Sequence, residues 1–198
     1  MAKYESFHEL QESETEGEDY IIKVEDRASP IVVMAIHGGR IEFVTSELAE
    51  QIADDDYSLY CFKGIKEENN WDLHITSHKF DEPQAVDLAN RSQVALTIHG
   101  QKNKEEEFLV VGGRDEVLRE KLRDRLSQNY TLKRIEGIMG TSPQNICNRT
   151  KRNKGAQLEI SQKLRSTLKR NQDERERFVS AVREVLTVVN EQLKTKNH

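Results

Sequence analysis

The stretch Ile31-Val32-Val33-Met34-Ala35-Ile36-His37-Gly38-Gly39-Arg40-Ile41-Glu42 decides the fold, because a β-branched apolar run stops at a histidine, two glycines and a carboxylate. Val32 to Ile36 reads as a strand buried on both faces, which places it inside an α/β sheet. Gly38 and Gly39 permit a tight turn, so His37 and Glu42 project into one space. A second strand of the same construction, Val94-Ala95-Leu96-Thr97-Ile98, runs into His99 and Gly100. Two imidazoles and one carboxylate at such strand ends form the ligand set of a catalytic zinc site whose fourth position stays open to water.

Outward from these two strands the pattern alternates between strand and helix. Tyr20 to Val24, Ser58 to Lys63, Phe108 to Val111 and Ala156 to Ile160 read as further strands. Thr45 to Ala53 reads as a helix capped by Thr45, and a helix capped by Asp81 with Pro83 in its first turn runs through Asn90. Asp115 to Asn129, Gln162 to Leu168 and Asp173 to Lys194 complete the helices, the last with Phe178, Val182, Val185, Leu186 and Val189 on one stripe. The expected architecture is a single-domain mixed sheet flanked by helices and spanning 1–198.

Composition agrees with that reading. The chain has 198 residues, 35% of them hydrophobic and 33% charged, and no apolar run approaches the roughly 18 residues of a membrane span. A soluble protein without a membrane partner is expected. Met1 to Ser6 contains no apolar leader core, which predicts a product made in the cytoplasm. Cys61 and Cys147 are too few for a disulfide framework, and Cys61 reads as core. The net charge of -5 is unevenly spread. Glu9, Glu12, Glu14, Glu16, Glu18 and Asp19 form an acidic stretch read as solvated surface, whereas Arg149, Lys151, Arg152 and Lys154 form a basic cluster read as the rim of a site.

A zinc hydrolase also needs a carboxylate that is not a ligand, to move a proton from water to the leaving group. Glu159 fits, because alternation in Leu158-Glu159-Ile160 turns it away from its apolar neighbours. His74 and His78 lie four apart but lack the glutamate of a helical HExxH motif, so they read as groups beside the metal or on the substrate. Arg149 offers a fork for a carboxylate, Asn148 another donor, and Arg114 a further anion contact near a helix start.

The ordered set of His37-Gly38-Gly39 with Glu42, Leu73-His74-Ile75-Thr76-Ser77, Phe80-Asp81-Glu82-Pro83, Thr97-Ile98-His99-Gly100, Val111-Gly112-Gly113 and Gly155-Ala156-Gln157-Leu158-Glu159-Ile160 resembles the phage-encoded poly-γ-glutamate hydrolases. The resemblance covers Tyr4 to Leu186. It implies a zinc-carboxypeptidase-like fold, zinc on His37, Glu42 and His99, Glu159 as general base, and γ-glutamyl amide bonds of the capsule polymer of bacilli as substrate. It also implies action outside the cell once the host has lysed. Zinc carboxypeptidases space the first ligand pair as HxxE, whereas four residues separate His37 from Glu42, so the turn between them must follow another path.

Each γ-glutamyl residue keeps a free α-carboxylate, and Arg149, Lys79 and Arg114, with His78 and Asn148, are the expected contacts for this polyanion. Two other classes remain at this stage. Cys147 with His99 or His78 would make a cysteine amidase. The basic cluster would alternatively serve a non-catalytic polyanion-binding module, although its lack of aromatics argues against nucleic acid. Monomer is the expected state, since the stripe on the last helix is satisfied by packing within the chain.

Overall fold

In a computed structural model describing residues 3–195, the chain forms one six-stranded sheet with helices on both faces. The start of the chain read as leaderless lies partly outside the described residues, at Met1 and Ala2. The elements in chain order are α1 (Phe7–Gln11), β1 (Tyr20–Glu25), β2 (Ile31–Gly39), α2 (Thr45–Ala53), β3 (Ser58–Gly64), α3 (Pro83–Arg91) and β4 (Val94–Gln101). They continue with β5 (Leu109–Gly113), α4 (Glu116–Leu126), β6 (Ala156–Ser161), α5 (Gln162–Arg170) and α6 (Gln172–Thr195). Every strand expected from sequence forms, with shifts of up to three residues at the ends, the largest at β2 and β4, which run on through Gly39 and Gln101.

The sheet order is β1-β3-β2-β4-β6-β5. β3, β2, β4 and β6 run parallel, while β1 and β5 are antiparallel edges. From β2 the chain crosses through α2 to β3 on one side, and from β3 through α3 to β4 on the other. β2 and β4 therefore flank the point where the winding reverses, and in open α/β sheets the crevice past the carboxyl ends of such strands is where ligands bind.

Burial on both faces follows from the β-branched run. Ile31, Val33 and Ala35 enter one core with Leu48 of α2, Leu118 of α4, Leu164 of α5 and Phe178 of α6. Val32, Met34 and Ile36 enter the other with Phe7 and Leu10 of α1 and Leu88 of α3. α1 was not anticipated; its Ser6 cap and its two buried side chains carry too short a pattern to stand out in sequence.

Three local expectations are corrected. α2 is preceded by Val44 at φ +75 with no side-chain cap, and the Thr45 hydroxyl instead donates to Glu42 O at 2.7 Å. α3 is capped by Glu82, whose carboxylate accepts from Gln84 N and Ala85 N, while Asp81 accepts from Phe7 N and ties down α1. Within the acidic stretch Glu14 is buried, not solvated, because Lys66 at 2.6 Å, Lys3 at 3.3 Å and the Tyr4 hydroxyl at 2.6 Å surround its carboxylate. No described helix is long and apolar enough to cross a membrane.

Candidate metal centre

Strict alternation along β2 would send His37 to the face of Val33 and Ala35. The pairing with β3 slips by one residue between Ala35 and Gly38, and a bulge of this kind re-aims the side chains at a strand end. His37 consequently turns to the opposite face, where its ring meets Phe80 and lies 5.2 Å from His99. His99 reaches that face by ordinary alternation from Ala95 and Thr97 in β4. Glu159 follows from the register, since it pairs directly with His99 across β4 and β6 while Leu158 and Ile160 enter the core below.

The turn from His37 to Glu42 closes through Glu42 N donating to His37 O at 2.9 Å, with Gly39 at φ +64. A side chain on Gly39 would also collide with Gly64 O. This path accommodates the four intervening residues. It returns Glu42 beneath β4, where its Oε2 accepts from Gly100 N at 2.8 Å.

His37 Nε2 lies 2.7 Å from Ile75 O. A carbonyl only accepts, so Nε2 carries the proton and Nδ1 presents its lone pair to the centre. There it stands 3.4 Å from Glu42 Oε1 and 3.3 Å from His99 Nδ1, and His99 Nδ1 is 3.7 Å from Glu42 Oε2. The three residues are buried, and one ligand atom from each lies within 4.8 Å of the others. His99 Nε2 finds no hydrogen-bond partner. Buried acceptors crowded so closely repel one another unless a cation or a proton sits among them. The donor set, two nitrogens and a carboxylate oxygen, fits a catalytic zinc ion.

The electrostatics show the same demand. Burial opposes the charge on Glu42, but His37 and His99 outweigh it and hold the carboxyl well below the usual range. Burial also opposes charging of His99, and the neighbouring Glu42 carboxylate together with the charge of Glu159 raises its pKa nonetheless. For Glu159, burial dominates and Glu42 adds repulsion, so its pKa rises to about 7.

Behind the centre, Arg165 of α5 is buried and donates to Ile160 O at 3.2 Å, Phe43 O at 2.9 Å and Gln101 O at 3.4 Å. It thereby joins the ends of β6 and β4 to the turn that carries Glu42. Gly100 is glycine because a Cβ there would meet the guanidinium at 2.5 Å.

A cleft of about 590 Å³ opens over the three acceptors and Glu159. The segment from Gly137 to Ser142 forms one wall, and Trp71, His74 and His78 stand on another. His74 stacks on His37 at 3.9 Å, and burial lowers its pKa to about 3. Its Nε2 is 3.8 Å from Glu42 Oε1.

Among the expected substrate contacts only His78 reaches the cleft wall. Arg149 donates to Gln144 O at 2.7 Å and His78 O at 3.2 Å, which makes it a tie between loops. Asn148 is saturated: its oxygen accepts from Arg114 N and Gly155 N, and its nitrogen donates to Gly140 O and Ser142 O. Lys79 pairs with Glu5, and Arg114 points to Asn153 O. Arg152 and Lys154 pair with Asp115 beside a separate groove, so the basic cluster does not rim this cleft. Cys147 is fully buried, its thiol pushed up to about 12 by burial, and it is not on the cleft lining. That geometry removes it from the role of nucleophile.

Three groups escaped the sequence reading. Gln157 donates to Glu159 Oε1 at 3.0 Å and to Ile138 O at 2.9 Å, and accepts from Asn145 Nδ2 at 2.9 Å. Trp71 and Lys102 line the cleft mouth. Gln157 was findable as the residue two before Glu159 on the same strand face; Trp71 and Lys102 carried no local signal.

Comparison with known proteins agrees with this geometry. The chain is 37% identical over 169 residues to the UPF0714 protein YndL of Bacillus subtilis, covering 83% of this chain and 66% of that protein. It is likewise 37% identical over 167 residues to the SPbeta prophage-derived UPF0714 protein YoqZ of Bacillus subtilis, covering 82% and 60%. It spans about two thirds or less of the length of these relatives. Among solved structures, a bacteriophage poly-gamma-glutamate hydrolase superposes with a TM-score of 0.91 at 30% identity, covering 97% of this chain and all of that one. A zinc-free apo form of YndL superposes at 0.87 and 31% identity, covering 94% and 98%. These matches place the mixed sheet in the zinc-carboxypeptidase-like class that the family resemblance implies. The family model described as poly-gamma-glutamate hydrolase matches residues 4–191, and with the superpositions in agreement, the chain belongs to the poly-gamma-glutamate hydrolase family.

Proposed function

We propose that this chain cleaves γ-glutamyl amide bonds of poly-γ-glutamate with a zinc ion held by His37, Glu42 and His99 and with Glu159 as general base. The observation that carries the reading is the convergence of three buried acceptor atoms under an open cleft, with the His37 tautomer set by Ile75 O. Zinc is favoured over other divalent ions by the nitrogen-rich donor set and by a structural relative described as zinc-free apo YndL. When bound, the ion would polarise the scissile carbonyl and acidify a water molecule next to it.

The chain's own residues supply the remaining chemistry. Glu159, with a pKa near neutrality, takes a proton from water and returns it to the departing nitrogen, and a carboxyl so tuned serves in both directions. Gln157 holds one oxygen of Glu159 and leaves the other to the cleft. Ile75 O keeps His37 in the ligating tautomer, and Gly100 N aims Glu42.

The natural setting proposed is degradation of the capsule polymer of bacilli, outside the cell after host lysis, by a monomer. Incubating poly-γ-glutamate with the protein and following polymer length on a gel tests the reading. Shortening that stops with a chelator and returns with zinc is the expected result. Cleavage indifferent to chelation, or intact polymer with zinc present, would overturn it.

A further inference from the structure

A cleft that takes a polyanion faces an electrostatic problem here, because its floor already carries Glu42 and Glu159 and the chain as a whole is at -5. The arginines and lysines expected to offset this lie elsewhere or are paired with carboxylates. Among the described residues, Lys102 is the one lysine or arginine on the cleft lining, and it enters no ion pair there. It stands just past β4, three residues after His99, on the strand end that presents a ligand.

Its position is defined by stacking. Lys102 Nζ lies 3.7 Å over the centre of the Trp71 ring, Trp71 stacks on His74 at 4.3 Å, and His74 stacks on His37 at 3.9 Å. The series runs from solvent to a metal ligand. Trp71 remains 40% exposed at the cleft mouth, so the ring is a platform and not part of the core. A cation over an indole face gains attraction, and the ammonium N–H bonds not aimed at the ring remain free for an anion.

We infer that Lys102, seated on Trp71, is the subsite that binds the α-carboxylate of a γ-glutamyl residue flanking the scissile amide. This rests on the proposed substrate. It assigns recognition of the polymer's repeating charge to the rim of β4, and not to the basic segment around Arg149. A permanent cation at the mouth distinguishes γ-glutamyl amides that keep the α-carboxylate from those in which it is masked, because a charged hydrogen bond is lost with the mask.

The test compares poly-γ-glutamate with the same polymer carrying α-methyl esters, measuring kcat/KM for the wild type, Lys102→Met and Lys102→Arg. Methionine keeps an apolar stem over Trp71 and removes the charge. The acid-to-ester ratio of kcat/KM is expected to fall about tenfold or more in Lys102→Met, through KM, and to return to within about threefold in Lys102→Arg. An unchanged ratio in Lys102→Met would overturn the inference. Calorimetric binding of both polymers to zinc-loaded Glu159→Gln protein, with and without Lys102→Met, judges the subsite apart from turnover. If the wild type cuts neither polymer but the acid form binds through Lys102, the catalytic reading falls and the subsite stands. If Lys102→Met leaves that binding preference intact, the subsite falls whether or not the polymer is cut.

Discussion

Two buried carboxylates in this molecule are neutralised in opposite ways. Asp115, 1% exposed, caps α4 and receives Arg152 at 3.0 Å and Lys154 at 3.5 Å beside a groove of about 330 Å³. Glu42, 5% exposed, receives a backbone N–H and faces three imidazoles, those of His37 and His99 with their Nδ1 atoms turned to each other and that of His74 at 3.8 Å. At the first position the chain provides its own cations. At the second it provides acceptors, leaving the balance of charge to something from outside. A buried charge with chain-borne partners is a structural device, and one set among further acceptor atoms is a candidate binding device.

Glu159→Gln should have the largest consequence, cutting kcat on poly-γ-glutamate by about 10³-fold, the scale of a lost general base. Equilibrium dialysis should find zinc still bound, and retained turnover would remove Glu159 from its role. Glu42→Gln attacks the open centre itself. Zinc at about a thousand times its Kd should stabilise the wild type by roughly 4 kcal/mol, and thermal melts of the variant should show little of this. Equal stabilisation of both proteins would erase the contrast between the two carboxylates.

On the self-neutralised side, Arg152→Met should cost about 1–2 kcal/mol in denaturant unfolding, because Lys154 remains and the arginine is partly exposed. Zinc affinity and kcat should not move. A loss of activity at constant stability would show that the groove and the cleft are coupled. Gln157→Leu releases one oxygen of Glu159 from its donor and frees the wall at Ile138. Stopped-flow measurement should show kcat down about tenfold, with zinc affinity retained.

The smallest effect concerns pH in the metal-free protein. Glu159 has a folded pKa of about 7, above its ordinary value of 4.5. The protonated form is favoured by folding, so its contribution is fully present below pH 4.5 and is lost as pH rises through about 7. Melts of chelated protein between pH 5 and 8 should therefore show Glu159→Gln losing less stability than the wild type over that interval.

Much of the fold was legible because both-face burial writes itself into composition. Val32 to Ile36 and Val94 to Ile98 have no polar member except Thr97, so their place inside a parallel sheet follows from the residues. The stripe on α6 and the Asp115 cap of α4 were equally local. Thr45 and Asp81 misled for a physical reason: a short polar side chain near a helix start has other acceptors and donors available, and Glu42 O and Phe7 N supplied them. Lys79, Arg114 and Arg149 were named for their charge, but charge in sequence does not reveal which carboxylate or carbonyl lies across the surface.

The amino-acid order alone determined which residue types end each buried strand, hence that imidazole and carboxylate groups stand at the carboxyl edge of the sheet. Tertiary structure alone decided that His37 faces His99, since a one-residue slip against β3 reverses its direction and nothing in β2 itself specifies that slip. It also decided that Lys102, not the arginines of the basic segment, stands over the cleft. Strand identity depends on near neighbours in the chain, whereas side-chain convergence depends on register and crossover between segments some sixty residues apart, as His37 and His99 are.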